Sequence, residues 1–188
     1  MLKNNIPDFP AFDMLVGNRV NPYRGFGEVV EKSNELENKL RSDAAQVREK
    51  VRKIFHVKLE NSTSIPEELD HIIDKMWNTG WDPRVGNLNL FTHNFGLLLF
   101  EASLDLLGGK PIFRSPGEDI FVHNSISWPG VEAFPFHKAF KCLIESDGES
   151  MVYFVRGVGH ELEEKGLLSP EMKKRIPGPA DRSRFVRG

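Results

Sequence analysis

The stretch that most constrains this chain is a run of leucine and phenylalanine that stops at two glycines. Leu90, Phe91, Phe95, Leu97, Leu98, Leu99, Phe100, Leu104, Leu106 and Leu107 precede Gly108-Gly109. At about 100° per residue these side chains wrap most of a helix's circumference, and a helix apolar all round must be packed on several sides. A central buried helix over about 89–107 is therefore expected. Glu101 and Asp105 interrupt the run well short of the roughly 20 apolar residues of a membrane span, so no membrane partner is expected.

The flanking segments supply what such a helix needs to be buried against. Leu36, Leu40, Ala44, Val47, Val51 and Ile54 recur at spacings of four and three, which predicts an amphipathic helix over 33–56. Asn34 and Glu37 read as its capping box. Sustained heptads are missing, so this helix should lie on its own core rather than pair with a second chain. Ser64-Ile65-Pro66-Glu67 reads as a second helix start, with Ser64 as cap. Leu69, Ile72, Ile73, Met76 and Trp77 form its inner face, Gly80 closes it, and 81–86 is a loop.

After the twin glycines the period changes from helical to strand-like. Pro111–Arg114 reads as a short strand. Over 120–128, Ile120, Val122, Ile126 and Trp128 alternate with Phe121, His123, Ser125 and Ser127, which predicts a strand with a polar outer face. Pro129-Gly130 suits a type II turn, and 131–134 returns antiparallel. Pro135 opens a short helix with Phe136, Phe140 and Leu143 inward. A last core helix is expected over 149–165, with Met151, Val155, Val158 and Leu162 inward and with Gly157 and Gly159 allowing close backbone approach. Ser169-Pro170-Glu171 starts a final short helix.

The fold class that follows is α+β, with helices packed on a small antiparallel three-stranded sheet. The chain divides into an irregular N-terminal arm over 1–31, a single α+β domain over 32–168, and a short helix with a basic tail over 169–188 whose composition is that of a mobile segment. At 188 residues it is long enough to bury a core without staples. The single Cys142 excludes an internal disulfide and a Cys-rich zinc site. With no apolar signal-peptide core near the start, a cytoplasmic setting is expected. A net charge of −2 argues against a dedicated nucleic-acid binder.

No motif specifies a reaction. His160-Glu161 begins like a zinc-protease helix motif, but Glu164 stands where the second imidazole belongs, so no metal and no cofactor are expected. Asn94, Glu101 and Asp105 fall within about 40° of one another on the apolar helix. They form either a solvated edge or a line facing a cleft, and His93, Glu101 and His123 are the best catalytic candidates should polar groups converge in space. His123 beside Ser125 and Ser127 lacks an orienting third group, and Asp119 is about 13 Å away along the strand. Gly25-Phe26-Gly27 lacks the third glycine of a dinucleotide loop. The loop aromatics Trp81 and Tyr23 are candidate partner contacts. Lys173, Lys174, Arg175, Arg182, Arg184 and Arg187 could meet nucleic acid, although Phe185 is the lone aromatic among them, and stacking platforms need several.

From 88 to 164 the order of elements is a leucine-rich helix with an internal Glu101, Gly108-Gly109, a short strand, a hairpin ending near Trp128-Pro129 and a Pro135-led helix. This order resembles a group of small uncharacterised bacterial α+β domains, some of them suspected to be antitoxin-like or immunity proteins. The resemblance implies a binding module rather than an enzyme and carries no catalytic residues with it. The expected function is non-catalytic protein binding, with a small enzyme and tail-mediated nucleic-acid association as alternatives.

Overall fold

Helices α1 (Ser33–Phe55), α2 (Ile65–Asn78) and α3 (Leu88–Leu107) are followed by strands β1 (Lys110–Phe113), β2 (Asn124–Trp128) and β3 (Val131–Ala133). The chain then forms α4 (Pro135–Ile144), α5 (Met151–Glu164) and α6 (Pro170–Arg175). The structure, a computed structural model, describes residues 33–80, 88–113, 124–145 and 149–178. Trp81, Tyr23, His123, Arg182, Arg184 and Arg187, with the 1–31 arm, the Ile120–His123 part of the expected strand and the 146–148 turn, lie outside the described residues.

Helix α3 is the hub that its sequence demands. Thirteen of its residues, from Thr92 to Leu107, are buried, and it touches α1, α2, α4, α5, α6 and β2. Its most extensive helix contact is with α4, and Gly96 makes that contact possible. A Cβ there would come within 2.9 Å of the Phe136 Cα, which is backbone and cannot step aside. At the other end Gly108 and Gly109 adopt φ of 67° and 95°, a conformation that carries almost no penalty only for glycine. The indole N–H of Trp128 then donates to the Leu107 carbonyl at 3.1 Å, satisfying a helix-end acceptor and tying the sheet to the hub.

The sheet is the expected antiparallel meander, order β1-β2-β3, with Pro111 opposite Ile126 and Ile126 opposite Ala133. Gly130 takes a φ of 74° in the tight turn, as a type II turn requires. The expectation of a polar outer face does not hold at Ser125. That side chain is fully buried, and its hydroxyl donates to the Glu132 carboxylate. Alternation in a short strand reports which side chains share a face, while the elements packed around it decide whether that face is wet.

Local detail departs from expectation at three places. Helix α1 already includes Asn34, and Glu37 pairs with Arg41 at 3.1 Å instead of reaching back to the helix start. Ser64 is itself in a helical conformation and makes no side-chain cap; its hydroxyl donates to the Asn61 carbonyl. Ile54, expected on the inner stripe, is 67% exposed, because α1 is in its last turn and its apolar face there is carried by Phe55. Phe55 packs edge-on against Phe91 and Phe95. His56 follows in the left-handed region at φ 55°, where a β-carbon is strained.

Candidate functional site

The polar line on α3 faces α1, not a cleft. Glu101 is 8% exposed, and its carboxylate accepts from the Arg48 guanidinium of α1 in a partly buried ion pair. Burial raises the Glu101 pKa, and the Arg48 charge opposes that rise. One turn on, Asp105 accepts from Arg41 at 3.0 Å and from the Ser62 hydroxyl at 2.6 Å. Arg41 also pairs with Glu37, so Glu37, Arg41, Arg48, Glu101 and Asp105 form a continuous charged seam between α1 and α3. Opposite charges on facing helices fix their register, which is the best-attested use of such pairs.

Of the catalytic candidates, the two among the described residues, His93 and Glu101, lie apart on α3. His93 is exposed at the start of α3, with its ring 5.9 Å from that of Phe136. Eight helical residues, about 12 Å of rise, separate it from Glu101. His160 lies 3.5 Å from Glu164, both on the solvent side of α5, and no group of three metal-ligating side chains occurs among the described residues. Cys142 is buried, and burial pushes its thiol well above the ordinary range, which keeps it protonated and unreactive.

An ionisable group that the sequence reading passed over is the most deeply engaged. Asp70 sits on the inner face of α2, 6% exposed, and accepts from Ser150 Oγ at 2.6 Å, Met151 N at 2.8 Å and Val152 N at 3.2 Å. Ser150, the N-cap of α5, in turn accepts from the Tyr153 amide at 3.2 Å. Together the two residues satisfy the orphan donors of the α5 start from across the core. Burial pushes the Asp70 pKa up to about 6 although all three hydrogen bonds pull it down. The signal for this residue was present: an acid between Leu69 and the Ile72-Ile73 pair cannot avoid the apolar stripe.

The described surface carries a groove with polar chemistry of its own. About 740 Å³ lies between α5 and α6, lined by Tyr153, Arg156, Gly157, His160, Glu163 and Lys173. The α5 members recur at helical spacing on the face opposite Met151, Val155 and Leu162, so burying one face presents the other. Gly159 belongs to the inner side, where a Cβ would meet Ile176 Cδ1 at 2.5 Å; Gly157 has nothing within 4 Å, so only one of the two glycines serves close packing. Lys173 of the basic run pairs with Glu163, whose pKa that contact lowers. No described helix is long and apolar enough to cross a membrane.

No protein-family model, curated protein or solved structure matches this chain.

Proposed function

We propose that this chain is a non-catalytic protein-binding domain that acts on a partner protein in the manner of an inhibitor or immunity protein. The observation that carries this reading is where the buried ionisable groups go. Glu101 is spent on Arg48, Asp70 on the α5 start, and the Cys142 thiol is sealed in the core, so each serves the fold. The polar groups that face outward instead line an open groove and the neighbouring helix surfaces, where a macromolecular partner has access. The resemblance of the 88–164 element order to small bacterial antitoxin-like and immunity-like domains points the same way. A single free, buried cysteine fits a cytoplasmic setting, which belongs to this proposal.

The test is affinity capture of the tagged chain in its native host, followed by reconstitution of the captured protein with the purified chain. A stoichiometric complex by calorimetry is the expected result. A chain that stays a lone monomer, with no reproducible co-purifying protein, refutes the reading.

A further inference from the structure

Arg156 is a half-buried cation that the fold leaves without a counter-charge. It lies in the α5 wall of the groove. Among the described residues its guanidinium has neither an ion-pair nor a hydrogen-bond partner. The helix gives it none: the positions three and four residues away are Val152, Tyr153, Gly159 and His160, with no carboxylate among them. Glu163, the acid that lines the same groove, is about 10 Å along the helix axis and is already held by Lys173 of α6. The other half-buried cations of the described surface are matched, Arg41 by Glu37 and Asp105, Arg48 by Glu101, and Lys138 and Lys141 by Glu149. A half-buried guanidinium with five donors and no acceptor is poised for an external one. The space beside it is open, because Gly157, adjacent to Arg156, leaves the floor of the groove without a side chain.

We infer that the α5–α6 groove is the docking site for an acidic segment of a partner protein, with a carboxylate of that segment paired to Arg156. The inference rests on the protein-binding reading and specifies its surface. A carboxylate offers the guanidinium two parallel acceptors, the geometry in which arginine is most selective. A discrete carboxylate is preferred to a nucleic-acid backbone, because a continuous phosphate chain along the groove would also run beside Glu163, with Glu161 and Glu164 close by on the same helix. An open groove of about 740 Å³, with Arg156 and Lys173 beside the apolar Ile176 and Pro177, has room for an extended peptide segment.

The test uses the full-length protein labelled with ¹⁵N and a short peptide carrying one glutamate among neutral residues, with its glutamine counterpart and an oligothymidylate as comparison probes. The glutamate peptide is expected to shift the amides of Tyr153, Arg156, Gly157 and His160, to do so less as salt is raised, and its glutamine counterpart to leave them unmoved. Arg156→Gln, a solvent-facing change that leaves the core untouched, is expected to weaken that binding about tenfold or more, the scale of a lost charge-assisted hydrogen bond. Lys174→Gln, outside the groove lining, should change it little. Shifts centred elsewhere, or equal affinity in Arg156→Gln, overturn the inference. So does preferential oligothymidylate binding, or a concentration-dependent shift of the same amides without peptide, which would assign the groove to nucleic acid or to a second copy. Should a partner captured from the host bind Arg156→Gln as tightly as the wild type, the groove assignment fails while the protein-binding reading stands.

Discussion

Replacing Asp70 by Ala removes the acceptor that holds the start of α5 against α2. Three donors lose their partner: the Ser150 hydroxyl and the amides of Met151 and Val152. A buried donor left unpaired costs about 1–3 kcal/mol, but water can enter the space vacated and recover part of that. A loss of about 3 kcal/mol at pH 7 is therefore expected, equivalent to a fall in Tm of about 6–12 °C for a domain of this size. The pH dependence gives a second, independent handle. The folded-state pKa of Asp70 is raised from 3.8 to about 6, so the folded protein holds this proton more tightly than the unfolded chain. Stability from this group is fully present below about pH 4 and falls as the pH rises to about 6, by about 3 kcal/mol at about 1.4 kcal/mol per pH unit. The gap between wild type and Asp70→Ala should accordingly be wider at pH 4 than at pH 7. Urea denaturation followed by circular dichroism at both pH values measures this. A gap under about 1 kcal/mol at both, or one that narrows toward acid, would show that Asp70 is not the cap described.

Other perturbations address separate contacts. Gly96→Ala drives a Cβ into the Phe136 backbone and should cost about 1–3 kcal/mol, whereas Gly157→Ala, in open space within a helix, should stabilise by about 0.5–1 kcal/mol; parallel urea titrations decide both. Glu101→Leu alone strands Arg48 and should cost about 3–5 kcal/mol, while Glu101→Leu combined with Arg48→Met should recover most of that loss, as a double-mutant cycle would reveal. His56→Gly relieves the left-handed strain at the α1 terminus and should raise stability by about 0.5–1 kcal/mol in thermal melts.

The parts of the architecture legible in the sequence were those encoded by a period. The α3 run and the α1 stripe each write one geometry many times over, so a few exceptions cannot hide it, and the Pro129-Gly130 turn needs no residues but its own two. What escaped was set by contacts between segments far apart in the chain. Asp70 and Ser150 are eighty residues apart and define each other's role, and no local pattern joins them. The same holds for Arg48 with Glu101: the sequence put Glu101 on a stripe with Asn94 and Asp105, but whether that stripe met solvent, a cleft or a cation depended on how α1 crosses α3. Ser125 reads as outward by parity and is buried because neighbouring elements close over it. The groove had one faint signal, Arg156 with no acid one turn away on either side, and that signal gained meaning only once α6 was placed beside α5.

Native-state hydrogen exchange tests most directly the claim that α3 is the hub. If the helix that touches nearly every other element sets the stability of the whole, its amides from Phe95 to Leu106 must exchange only through global unfolding. They should then share one free energy, equal to that from urea titration, and respond to denaturant with the full slope, while the amides of α6 open at far lower cost. Exchange from α3 that is faster than from α1 or α5, or that is independent of denaturant, would contradict the account at its centre.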